Sequence, residues 1–143
     1  MKSIDDPKKK IMPVCIPRAQ TELRHTTECA VVILEDRVKN DTHWESPGQK
    51  MGTDICKKNG VFIKEAISRL LCIGTKVINN FPCGTLFSPL TLICKYNDMW
   101  SVYGIGSSCV KSKDRKWSYG YFLSIPLYRK WISKKTGVQL IKD

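Results

Sequence analysis

Between residues 83 and 109 the chain reads Cys83-Gly84-Thr85-Leu86-Phe87-Ser88-Pro89-Leu90-Thr91-Leu92-Ile93-Cys94, then Met99-Trp100-Ser101-Val102-Tyr103-Gly104-Ile105-Gly106-Ser107-Ser108-Cys109. A cysteine opens a glycine-containing turn, and an apolar run of strand length ends in a second cysteine. The polar triplet Tyr96-Asn97-Asp98 then reverses the chain into another strand, which ends in glycine and a third cysteine. The spacing predicts a hairpin pinned by disulfides. The chain has seven cysteines in 143 residues, and their separations do not form two Cys-x-x-Cys knuckles. A zinc site is therefore the weaker reading, and a disulfide framework with one cysteine left over is the stronger.

The length suits one ordinary domain or part of a larger one. With 42% hydrophobic and 26% charged residues the chain is globular rather than disordered. No apolar run approaches the roughly 20 residues needed to cross a bilayer. Disulfides imply the secretory route, yet the opening stretch Met1 to Lys10 lacks the apolar core of a signal peptide. A formal charge of +11 and a pI near 9.4 favour polyanionic surfaces in general. Nucleic acid is the sharp version of that idea, and a solvated basic face is the plainer and preferred one. No residue pattern calls for a cofactor or a resident metal.

Residues 1–10 are polar, basic and broken by Pro7, and read as a tail or linker. Ile11-Met12-Pro13-Val14-Cys15-Ile16-Pro17 brackets a short extended segment with prolines, which suits an edge or a strap. Glu28 to Leu34 is a β-branched run of strand length. Asn40-Asp41-Thr42 fits the N-glycosylation acceptor pattern, expected on a surface loop of a secreted chain. His43 to Gly52 is rich in Pro, Gly and charge and reads as loop. Ile63, Ala66, Ile67, Leu70 and Leu71 recur at helical spacing and predict a short helix between Cys56 and Cys72. Lys111 to Lys116 is a charged turn, and Trp117 to Ile125 an aromatic strand. Pro126 suits a first helical turn, with Leu127, Tyr128, Trp131 and Ile132 on one face and Gly137 as the stop.

Taken in order, these features resemble the second half of trypsin-like serine proteases. Pro13-Val14-Cys15-Ile16-Pro17 looks like the family's Pro-Val-Cys-Leu-Pro segment. Residues 83–109 look like its Cys-x-Gly-Asp-Ser-Gly-Gly-Pro-Leu turn, strand to Cys, and Trp to Gly-Ile strand to Cys. Trp131-Ile132 matches the Trp-Ile pair of its terminal helix. The resemblance implies an all-β fold: the second Greek-key barrel of the two-barrel architecture plus a C-terminal α-helix. Residues 11–143 would then be a partial peptidase domain behind the 1–10 tail. It also implies the pairs Cys29–Cys94, Cys56–Cys72 and Cys83–Cys109. Cys15 is left unpaired or interchain, because its family partner lies upstream of the protease body.

The chemistry of that family is not carried over. Anchored on Gly84, the oxyanion turn, and on Pro89-Leu90, the nucleophile's place is taken by Leu86 and the preceding aspartate's by Thr85. One residue between Cys83 and Gly84 is lost, and Phe81 stands at the specificity-pocket floor. Ser88 lies two positions past the nucleophile's slot. His25 and His43 lack the family's Ala-Ala-His-Cys context and read as ordinary surface histidines. The catalytic His and Asp belong to the first barrel, so the triad is incomplete. The expectation is a non-enzymatic, inactive protease homologue of the extracellular or secretory pathway. It would act, if at all, by binding a protein through the barrel face that a first barrel would cover. The alternative is a basic module for sulfated glycans or other polyanions. That reading rests on Lys111, Lys113, Arg115 and Lys116, with Arg129, Lys130, Lys134 and Lys135 on the helix, where cations also suit the dipole. Nucleic acid is the less favoured partner, and no membrane span is expected.

Overall fold

The computed structural model describes residues 14–18, 22–37, 40–61, 67–76, 90–106 and 109–140. They form β1 (Cys29–Arg37), β2 (Asn40–Met51), α1 (Thr53–Lys58), a 3-10 turn (Ile67–Arg69), β3 (Leu70–Lys76), β4 (Leu90–Tyr96) and β5 (Met99–Gly106). β6 (Val110–Lys111), β7 (Trp117–Ser124), a second 3-10 turn (Ile125–Tyr128) and α2 (Arg129–Thr136) complete them. The sheet order is β3-β2-β1-β4-β5-β7-β6, and a further β3–β7 pairing closes six strands into a barrel with β6 outside the ring. Every ladder is antiparallel. β1, β2 and β3 run as a meander, and β4 returns to lie beside β1, which is the Greek-key order.

Alternation along the strands sets the interior. In β4, Leu90, Leu92 and Cys94 point inward while Thr91 and Ile93 are half-buried on the other face. They meet Val31 and Ile33 of β1, Ile73 of β3, Tyr103 of β5 and Phe122 of β7 in one buried cluster. Each such side chain contributes about 1.5–3 kcal/mol by leaving water. Cys29 and Cys94 face each other in the β1–β4 ladder and are disulfide-bonded, with Cα atoms 4.0 Å apart. A second cluster, Cys56, Cys72 and Tyr121, packs α1 against the outside of the barrel, and the Cys56–Cys72 disulfide runs through it. The Tyr121 hydroxyl donates to the Thr53 carbonyl at 3.2 Å, tying the start of α1 to β7.

Two local devices shape β5. Asn97 and Asp98 both have positive φ (47° and 60°), so β4 and β5 join through the two-residue turn the polar triplet predicts. Leu92 then pairs with Gly104 and Ile93 with Val102, leaving Tyr103 as the extra residue of a bulge. Gly104 is required there because a Cβ would sit 2.9 Å from the Phe122 Cβ.

The fold corrects three expectations. Residues 43–52, read as loop, are mostly strand: β2 pairs with β1 from Asn40 to Gly48, Pro47 opposite Ala30. Pro47 is tolerated because the β2–β3 ladder begins only at Gly48, so β2 has one unpaired edge at that point. Asn40 accordingly opens β2 instead of sitting in a loop. The helix expected from Ile63, Ala66, Ile67, Leu70 and Leu71 is displaced. α1 lies earlier and ends before Gly60, whose φ is 81°, Ile67 is in the 3-10 turn, and Leu70 and Leu71 belong to β3. Ile63 and Ala66 lie outside the described residues. A seven-residue ladder from Leu70↔Leu123 to Lys76↔Trp117 outweighs the local helical spacing. Finally, Pro126 opens a 3-10 turn rather than the expected α-helix, α2 itself starts only at Arg129 and stops at Gly137 (φ 72°), and the buried face differs. Leu127 and Trp131 are 58% and 59% exposed, whereas Arg129 is 7% exposed.

Candidate functional site

Of the residues singled out in the sequence, Phe81, Cys83, Gly84, Thr85, Leu86 and Ser88 lie outside the described residues. His25 is exposed in a turn and His43 belongs to β2, on different parts of the chain. Cys29–Cys94 and Cys56–Cys72 are bonded as the resemblance implied, and Cys15 is free and exposed. Cys109 is disulfide-bonded as well. Its expected partner, Cys83, is outside the described residues. Among the described residues no group of three or more His, Cys, Asp or Glu side chains could hold a metal ion. No helix among them is long and apolar enough to cross a membrane.

A cleft of about 610 Å³ lies between the strap at residues 14–18, the β4–β5 turn, β5, α2 and the tail that follows it. Its construction begins with β5. The β5–β7 ladder spans only Gly104 to Gly106, so the first half of β5 has an open edge. The strap runs parallel to that edge, bridging Cys15 to Ser101, and the Val102 N–H donates to the Cys15 carbonyl at 3.0 Å. Arg129 locks it from the other side: its Nη1 donates to the carbonyl of Ile16 at 3.3 Å and to that of Pro17. A buried guanidinium survives only when its donors are met, and the strap's backbone supplies two acceptors to Nη1.

The far wall is fixed by the end of α2. The Gly137 N–H donates to the Ser133 carbonyl, closing the helix. The Ser133 hydroxyl donates to the Val138 carbonyl at 2.7 Å, and the Val138 N–H donates to Thr136 Oγ1 at 3.2 Å. The tail is thereby turned back along the cleft. Val14, Tyr96, Met99 and Val138, each 46–57% exposed, all line it. The lining is mainly apolar with a few polar groups.

Sequence reasoning placed Arg129 among surface cations and missed this role. The signal was present, since Ile125, Arg129, Ile132 and Thr136 recur at i, i+4, i+7 and i+11 and so share one face. Lys130, Lys134 and Lys135 of α2 are exposed as expected, and a second basic surface is the β6–β7 hairpin. Lys111, Lys113, Arg115 and Lys116 are exposed, and Lys76 stands across β7, its Nζ 5.7 Å from the centre of the Trp117 ring. Asp114 is turned into the hairpin, accepting from the Ser112 hydroxyl at 2.5 Å and the Lys116 N–H at 3.0 Å. Those two bonds, the hydroxyl's above all, and then the Lys116 charge hold its carboxyl below the ordinary aspartate range. Compared with protein-family models and with curated proteins, the chain matches none.

Proposed function

We propose that this chain is a catalytically inactive homologue of trypsin-like serine proteases that works by binding another polypeptide. The family reading is supported by a closed six-strand Greek-key barrel followed by a C-terminal helix, with two disulfides at the positions that resemblance implies. Inactivity follows from the residue types: Leu86 has no nucleophilic group, Thr85 has no carboxylate, and no histidine stands in a triad context. The observation that carries the binding role is the convergence of Val14, Tyr96, Met99 and Val138 on one cleft. Large apolar side chains left half in water at one concavity gain most when a partner covers them. The disulfides are consistent with an extracellular protein, and the proposal places it there, with Asn40 as its glycan acceptor.

Two measurements test the two halves of the proposal. A fluorophosphonate probe should leave the chain unlabelled, and Arg, Lys and aromatic peptide substrates should not turn over. Labelling of Ser88 that disappears in Ser88→Ala would overturn the inactive reading. For binding, a displayed library of apolar peptides should yield ligands whose affinity falls about tenfold or more in Met99→Asp, a change worth about 1.4 kcal/mol or more. Ligands indifferent to Met99→Asp and Tyr96→Asp alike would rule out the cleft.

A further inference from the structure

We propose that the tip of the β6–β7 hairpin, with Lys76 beside it, is a docking site for a linear sulfated polysaccharide. This surface is distinct from the apolar cleft, and its test does not depend on the outcome there. Three cations, Lys113, Arg115 and Lys116, crowd a four-residue tip, and each is exposed. On either side of β7, Lys76 is paired with Trp117 and Lys111 with Ser118. With strands spaced by about 4.8 Å, the two backbones stand roughly 10 Å apart, so cations flank the hairpin as well as crown it. Among the described residues none of these five forms a close salt bridge, as Lys95 does with Glu28 and Asp98, although the Lys116 charge acts on Asp114.

The tip is also prearranged. The Arg115 N–H donates to the Ser112 carbonyl, the Ser112 N–H to the Trp117 carbonyl, and the Trp117 N–H to the Ser112 hydroxyl. Asp114, the tip's one carboxylate, accepts through Oδ1 alone from the Ser112 hydroxyl and the Lys116 N–H, which fixes the loop that carries the exposed cations. Arg115 holds φ at 56°, the left-handed region in which glycine or asparagine is the easier choice. A long cation kept at such a position is an arrangement for which binding supplies the reason.

Sulfate groups fit this surface better than nucleic acid does. Single strands are gripped by stacking bases on open aromatic faces. Here Trp117 is stacked with Tyr119 at 6.2 Å and 9°, and Lys76 lies over its ring, so what the surface presents is charge. The disulfides point to an oxidising compartment, where the abundant chain-like polyanions are sulfated glycans.

The test uses the full chain and a size-defined heparin octasaccharide, with its desulfated form as control, across a salt series. Lys113→Ala/Arg115→Ala/Lys116→Ala should lose about tenfold or more in affinity and bind with a shallower salt dependence. Lys130→Ala/Lys134→Ala/Lys135→Ala removes the same charge from α2 and should stay within about twofold. Lys76→Ala should weaken binding on its own. Equal losses in the two triple variants would reduce the effect to overall basicity and overturn the site. So would equal binding of the desulfated octasaccharide, or tighter binding of a single-stranded oligonucleotide of the same charge. Retained circular dichroism of the hairpin variant separates lost contacts from lost fold.

Discussion

Arg129 joins segments that lie 113 and 112 residues apart in the chain, through one side chain and two carbonyl oxygens. Replacing it with leucine keeps the bulk and leaves those carbonyls without their donor in a buried place. We expect Arg129→Leu to cost about 2–3 kcal/mol in urea unfolding. The free Cys15 thiol should also react faster with a maleimide as the strap loosens from β5. Arg129→Lys should recover part of the loss, because both carbonyls are reached from the single nitrogen Nη1, and an ammonium also carries several donors on one nitrogen, though on a shorter stem. Unchanged stability and unchanged Cys15 labelling would show that the strap is held by its β5 bridge alone.

Elements differ in how plainly the sequence announces them, and the difference is physical. β1, the β4–β5 hairpin and the terminal helix carry local signals, β-branched runs, an Asn-Asp turn, and Pro126 in the 3-10 turn before the helix with Gly137 at its end, that agree with their tertiary surroundings. β2 does not, because Pro47 and Gly48 are turn residues by local preference and are held in a strand by the ladder to β1, joined at Gly48 by the ladder to β3. Leu70 and Leu71 are likewise drawn into β3 by their partners Leu123 and Phe122 in β7, far later in the chain. The two disulfide pairs became legible through the family resemblance, whereas the cleft was not, since its wall is assembled from the strap, β5 and the tail. Glycines test the same distinction. At Gly104 a methyl group would meet the Phe122 Cβ at 2.9 Å and the Leu123 carbonyl at 3.4 Å, a clash between strands. At Gly137 it would meet open space, and only the backbone angle is strained. Gly104→Ala should therefore cost about 2–3 kcal/mol and Gly137→Ala about 1 kcal/mol. Thermal melts of the two variants decide the order, and a reversed order would place the bulge wrongly.

Across the whole molecule the disulfides act on different lengths of chain. Cys29–Cys94 spans 65 residues and Cys56–Cys72 spans 16. By loop-closure entropy the first stabilises by about 4 kcal/mol and the second by about 3. Cys29→Ala/Cys94→Ala should consequently lower the urea midpoint more than Cys56→Ala/Cys72→Ala. The longer bridge also lies inside the barrel, where two alanines leave a void, while the shorter one fastens α1 to the outside. The opposite ranking would mean that α1 and its cluster, not the ring, set global stability.

Closure of the ring through β3 and β7 has a consequence for time. β7, at Trp117–Ser124, is the last ring strand to leave a ribosome, and it must pair with both β3 and β5. Until then the meander and the β4–β5 hairpin form an open sheet with two unmet edges, so the decisive contacts are among the most distant in sequence. Such a chain folds slowly for its size and stays exposed to strand-to-strand association throughout synthesis. Its success in a cell turns on how long those edges are shielded before residue 124 arrives.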